Sequence, residues 1–260
     1  NNYASRLAEA GRRVEALTAS EEAVALRREL VAGNRDAHLP YLAGSVNNYA
    51  SRLAEAGRRV EALTASEEAV ALRRELVAGN RDAHLPYLAS SVNNHAIALA
   101  GAGRRAEALP ASEEAVSLYR ELVEGGRDAY LPDLAMSVNN YAVRLAEAGR
   151  RVEALAASEE AVALRRELVE GNRDAYVPDL AGSLWGTGCV CVALDESSVE
   201  AIAAAREGLG LYAVLAATEP DAFTDRLHSA AETLADLYEI AGDPEAAAAV
   251  RAEYGPPPAS

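Results

Sequence analysis

From Leu42 onward the apolar residues Leu42, Val46, Tyr49, Ala50 and Leu53 fall at the i, i+4, i+7, i+8, i+11 spacing that lines one face of a helix. Gly57, free to take a positive φ, is expected to stop that helix. After a Gly-Arg-Arg turn, Ala62, Leu63, Ala69, Val70, Leu72, Leu76 and Val77 trace a second apolar face, which Gly79 and Asn80 close. Asp82 as a cap and Pro86 in a first turn then favour a new start. The pattern predicts two antiparallel helices of roughly 18 residues, each about 27 Å long. Such a hairpin cannot bury both faces alone, so it must stack on neighbours.

The same pattern recurs. Its double asparagine begins at Asn1, Asn47, Asn93 and Asn139, a constant interval of 46 residues, and periods of this size belong to helical solenoids. An active site needs one copy of each catalytic group, so repetition over most of the chain points to a surface. After Leu184 the pattern loosens into a divergent fifth pair, with an extra residue near Ser197 or Ser198, and a shortened sixth pair with Gly242 in its turn. The expected organisation is four repeats over 1–184, the first truncated at its N-terminus, then a divergent pair and a capping pair over 185–254, and a disordered tail over 255–260.

The residues Ala50, Leu53, Gly57, Glu61, Ala62 and Leu63, followed by Glu68, Ala69 and Val70, resemble the small–large–glycine–alanine pattern of the tetratricopeptide repeat family. The 46-residue period exceeds that family's usual 34 or so. The long helices, the string SVNNYA and Pro110 seven residues after Gly103 look more like the kinesin-light-chain type. The aromatic usual at the first packing position is absent, since Val46, Val92 and Val138 stand there. The resemblance implies an all-α, right-handed superhelical solenoid that binds a protein or an extended peptide in a concave groove.

Composition narrows the partners. A net charge of −15 disfavours nucleic acid and anionic membranes, because a phosphate-binding face needs clustered positive charge. No apolar run is read as approaching the roughly 20 residues needed to cross a bilayer. All 25 basic residues are arginine, a bias expected of a GC-rich bacterial genome, and the two cysteines give no disulfide framework, which favours a reducing cytoplasm. Starting at Asn1 inside a repeat, the chain reads as a segment of a longer protein.

For catalysis or metal binding the chain offers little. Cys189 and Cys191 are two apart on a helix and point about 200° from one another, so they cannot easily share a metal. His38 and His84 occupy the place that Tyr130 and Tyr176 take later, which suggests a position wanting a flat ring. His95 replaces Tyr49 and Tyr141, and neither it nor His228 stands beside a recurring nucleophile; no enzyme, cofactor or metal is expected. The Glu67-Glu68 and Arg73-Arg74 runs are expected to be the solvated side of the second helix.

The asparagines are the strongest candidates. Around the first helix, with Val46 at 0°, Asn47 sits at about 100°, Ser51 at about 140° and Glu55 at about 180°, beside the apolar stripe. The resemblance implies that such positions line the groove, where amides bond a peptide's main chain. The expected site is Asn47, Ser51, Glu55, Asn93, Ile97, Asn139, Val143, Glu147 and Trp185, the last standing where a fifth asparagine would be. Glu55 and Glu147 there would favour a basic peptide. The alternative is that these amides join neighbouring helices, the reading favoured for Asn48, Asn94 and Asn140. A second functional reading is end-to-end self-assembly through the apolar end left open by a short first helix over Asn1 to Ala10.

Overall fold

The computed structural model describes residues 2–9 and 11–255, the side chains of 2, 5, 8 and 9 excepted. Helices α1 (Asn2–Glu9), α2 (Arg13–Gly33), α3 (Arg35–Glu55), α4 (Arg59–Gly79), α5 (Arg81–Gly101) and α6 (Arg105–Gly125) are followed by α7 (Arg127–Glu147), α8 (Arg151–Gly171), α9 (Arg173–Ala193), α10 (Val199–Thr218), α11 (Pro220–Ile240) and α12 (Pro244–Tyr254). No strand occurs among the described residues. The fold is all-α, an α-solenoid of consecutive helix pairs. Two compact units divide at Arg127/Asp128, unit 1 with α1 to α6 and unit 2 with α7 to α12. We call the odd-numbered helices A and the even-numbered ones B. In unit 1, α3 and α5 each pack between two B helices and also touch one another, and in unit 2, α9 touches α8, α10 and α11.

Most helices from α2 to α11 have 21 residues, against the roughly 18 expected. The gain comes at the B-to-A junction, which is a single residue. The Asn80 N–H donates to the Leu76 carbonyl at 2.9 Å, closing α4, and its side-chain oxygen accepts from the Ala83 N–H at 3.2 Å, opening α5. Its backbone N–H closes the first helix, and asparagine suits the start of the second because its short amide oxygen reaches the free N–H groups of a first turn. Asn80, not Asp82, is therefore the cap, and Pro86 lies within α5 beyond its first turn. The A-to-B turn is Ala56-Gly57-Arg58, with Gly57 at φ +74° as expected.

Leu42, Val46, Ala50 and Leu53 are buried, as are Ala62, Leu63, Ala69 and Val70. The burial extends further round α4 than the sequence suggested, through Ala65 and Ser66 to Arg73, while Leu72, Leu76 and Val77 are only half-buried. The divergent pair keeps the frame. Asp195 takes φ +53° at the glycine's place, a conformation short polar side chains tolerate better than branched ones. Ser198 then caps α10 by accepting from the Ala201 N–H at 3.1 Å.

Helix α10 corrects one sequence expectation, because it is long and apolar enough to cross a membrane. It nevertheless carries Glu200, Arg206 and Glu207 and packs against both α9 and α11. Asn1, Ala10 and residues 256–260, where the ends of the short first helix and most of the tail were expected, lie outside the described residues.

Candidate functional site

The asparagine row is built between A helices. In unit 1 the Asn94 Nδ2 on α5 donates to Asn47 Oδ1 on α3 at 3.3 Å, joining the first asparagine of one copy to the second of the next. In unit 2 the same register holds Trp185 on α9 and Thr233 on α11, and the indole Nε1 donates to Thr233 Oγ1 at 2.9 Å. Between these, Gly186 occupies the second-asparagine place, and a Cβ there would stand 2.8 Å from Asn139 Oδ1. Asn93 is 1% exposed, so its amide faces the interior. The row thus serves helix-to-helix contact wherever its partners are seen, and sequence angles could not reveal it because they place residues on one helix, not against the next.

The other expected residues fall into two groups. Ser51 and Ile97 share a small hollow of about 160 Å³ with Asn94 and Ser66, and Ile97 is 49% exposed at its edge. Glu55 and Glu147 do not project free charge: Glu55 is held by Arg52 at 2.6 Å, Glu147 by Arg144 at 2.9 Å. Val143 is half-buried on α7.

A second feature of the A face was missed by the sequence reading. Arg73 reaches from α4 between α3 and α5 and is 6% exposed, against its expected place on a solvated side. Its guanidinium lies 4.8 Å over the Tyr87 ring, and a Cβ on Gly44 would meet Nη2 at 3.3 Å. The Nε of Arg73 is buried without a hydrogen-bond partner, and burial lowers the pKa of the group. One repeat earlier Arg27 lies 4.9 Å over the Tyr41 ring. Together with Pro40 and His84 these residues line an open hollow of about 460 Å³ that no carboxylate lines.

Unit 2 shows the same position solved differently. Arg165, the counterpart of Arg73, is equally buried, but Asp133 and Asp179 replace the tyrosines. Arg165 Nη1 lies 3.0 Å from Asp179 Oδ2, off the direction of a hydrogen bond and so a charge contact. The carboxyl of Asp133 is raised by burial against the pull of Arg165. The signal was present in the sequence as a 46-residue series, arginine at 27, 73 and 165 opposite Tyr41, Tyr87, Asp133 and Asp179.

Residues 88–128 and 134–174 each match the family model described as tetratricopeptide repeat. These two segments are repeats of the tetratricopeptide type. No curated protein matches it. Among solved structures it is similar to BtubC (BKLC) from P. vanneervenii, at 18% identity over 94% of each chain with a TM-score of 0.66. It is also similar to a variant of a Podosopora anserina putative kinesin light chain with nearly identical TPR-like repeats, at 20% identity over 81% of this chain and 91% of that one, TM-score 0.56. Aspartyl phosphate phosphatase F from Bacillus subtilis aligns over 97% of this chain but 57% of its own, at 12% identity and TM-score 0.66. Identities this low speak for the fold alone.

Other polar groups among the described residues hold the helix array together. Arg28–Glu68 at 2.8 Å, Arg74–Glu114 at 2.9 Å and Arg166–Glu207 at 2.7 Å tie α2 to α4, α4 to α6 and α8 to α10. Glu67, Glu68 and Arg74 are therefore rungs between repeats, unlike the buried Arg73, though each such exposed pair contributes only about 0–1 kcal/mol. His95 Nδ1 lies 2.9 Å from Ser66 Oγ, and burial lowers its pKa, favouring the neutral ring. The Cys189 thiol sits 3.7 Å from Thr233 Oγ1 and Cys191 is buried, its pKa pushed up to about 11 by desolvation, so both remain protonated thiols at neutral pH.

Proposed function

We propose that this tetratricopeptide array is a protein-interaction module that binds an extended segment of a partner on the A face of unit 1, with a carboxylate of that segment seated against Arg73 between Tyr41 and Tyr87. The observation that carries the reading is the unpartnered Nε of a 6%-exposed cation lining an open hollow. A charged hydrogen bond there is worth about 1.5–3 kcal/mol, and satisfying an orphaned donor adds to the gain. Tyr41 and Tyr87 remain 57% and 55% exposed, and tyrosine and arginine dominate the energetics of interfaces. In unit 2 the chain supplies its own carboxylate to the equivalent arginine, which is the contact a partner would reproduce in unit 1. Ile97 and the hollow beside Ser51 offer an apolar side chain a place further along the face. This reverses the basic partner expected from Glu55 and Glu147, whose charges are already met by Arg52 and Arg144.

The test is selection of peptides from a random display library against the intact chain. Binders should carry aspartate, glutamate or a free C-terminus, and Arg73→Met or Tyr87→Ala should weaken them at least tenfold while circular dichroism stays unchanged. A selection that yields no acidic binder weakened by either substitution would sink the reading. A second reading is end-to-end self-association, favoured by Leu26 and Leu30, which are 60% and 45% exposed where Leu72 and Leu76 one repeat later are half-buried. It predicts a mass that grows with concentration and a strict monomer for Leu26→Glu with Leu30→Glu; a wild-type chain monomeric at millimolar concentration would rule it out.

A further inference from the structure

On the opposite, B-helix side each unit carries a groove, and the two are built from equivalent residues. In unit 1 the groove between α4 and α6 holds about 480 Å³ over the apolar floor of Val70, Val92 and Leu99. In unit 2 the groove between α8 and α10 holds about 650 Å³ over Val162, Leu184 and Cys191. Glu67 and Glu107 rim the first, and Glu159 and Glu200 stand in their places on the second.

The difference is one cation. In unit 1, Arg104 bonds Glu67 at 3.0 Å and also grips Glu107, so a single guanidinium neutralises both rims. The inserted residue before α10 splits that arginine's place between Glu196, which makes its turn hydrogen bond, and Ser197, which stands three before Glu200, and neither is a cation. Glu159 and Glu200 consequently make no ion pair among the described residues, while Arg166 is already committed to Glu207 and Arg151 to Glu196. Two unneutralised carboxylates thus border the larger of the two apolar grooves.

We propose that the α8–α10 groove docks a basic, apolar segment of another protein, its arginine or lysine lying between Glu159 and Glu200 as Arg104 lies between Glu67 and Glu107. The unit 1 groove supplies the geometry of the contact, and charge complementarity selects the occupant. An arginine fits the floor as well as the rim, because its methylene stem can lie on Leu184 and Val162 while its head stays with the carboxylates. Arginine should exceed lysine, since its planar fork can meet two carboxylates at once. This site is on different helices from the Arg73 hollow and has the opposite charge preference, so either proposal can fail without the other.

The probe is a blocked heptapeptide with one arginine flanked by leucines, set against its twin with citrulline, which keeps the shape and removes the charge. Amide shifts of the isotope-labelled intact chain are followed as each is added to millimolar concentration. Saturable shifts at Thr187, Ala201 and Ala204 are expected with the arginine peptide, at least fivefold weaker with citrulline, and weaker again in high salt. Glu159→Gln with Glu200→Gln, both exposed and so harmless to folding, should abolish the preference for arginine. Arg104→Ser should open the unit 1 groove and raise the stoichiometry from one peptide to two. Equal shifts from both peptides, an unchanged preference in the double variant, or no shifts at all would overturn the proposal. So would shifts that appear with protein concentration alone, which would make a second copy the occupant.

Discussion

Arg73 and Arg165 occupy the same place in their repeats, are 6% exposed alike, and should respond differently to the same substitution. Methionine is close in length and can fill either site without charge. At position 73 the change removes a buried donor that has no partner, a defect worth about 1–3 kcal/mol, and forfeits the stack on Tyr87, worth about 0.5–2 kcal/mol. The two nearly cancel, so Arg73→Met should lie between no change and a gain of about 1 kcal/mol. At position 165 the change strips the cation from Asp179, 3.0 Å away, and from half-buried Asp133. Removing one member of a buried pair costs about 3–5 kcal/mol, and because the Asp179 side chain is 50% exposed and can rehydrate, and because Arg165 Nε is itself buried without a hydrogen-bond partner, we discount this to a loss of about 1–2 kcal/mol. Urea unfolding of both variants beside the parent measures the difference, which should favour Arg73→Met by about 2 kcal/mol, from the same balance of terms. If the two substitutions cost the same, Arg73 is a structural arginine already satisfied and the hollow beside it has no unmet demand.

Gly208→Ala should destabilise by about 1–2 kcal/mol, because its Cβ would stand 3.2 Å from the Ala181 carbonyl and the Trp185 nitrogen, backbone atoms that cannot move aside, and overpacking outweighs the roughly 0.5–1 kcal/mol gained on losing a helical glycine; a higher melting temperature would show that α9 and α10 can separate. Lowered by burial, the His95 pKa makes the folded chain bind fewer protons than the unfolded one as pH falls below 6.5, so that stability is fully present above 6.5 and drains away beneath it. His95→Tyr, which restores the residue of neighbouring copies, should flatten that part of the pH–stability curve, and an unaltered slope between pH 7 and 5 would assign it to other groups. Asn94→Ala removes the bond to Asn47 and should cost about 0.5–1.5 kcal/mol of stability, without changing the affinity of peptides selected on the Arg73 hollow; a loss of affinity with unchanged stability would return the amides to the binding face.

The helix pairs were legible because each rests on local chemistry: the apolar stripe from Leu42 to Leu53, the glycine at 57, the 46-residue echo of both. The caps were half legible. Asp82 and Pro86 announced a helix start, but only the structure shows Asn80 serving two helices at once, which draws the start back to Arg81 and carries Pro86 inside. The candidate site was least legible, since it depends on what the next repeat brings. Asn47 and Asn94 are polar letters beside a stripe until α5 lies against α3, and then they are each other's partners. Arg73 and Arg74 read as one charged pair, yet a rotation of about 100° sends the first between the A helices and leaves the second on the surface with Glu114.

The most direct test of the central reading is to map where a selected acidic peptide binds on the isotope-labelled chain. The account predicts amide shifts that cluster at Tyr41, Gly44, Ala83, His84 and Tyr87, vanish for a twin peptide with its carboxylates amidated, and disappear in Arg73→Met. Shifts that fall instead along α4 and α6 at Val70, Ala71 and Ala111, or that survive amidation, would contradict it.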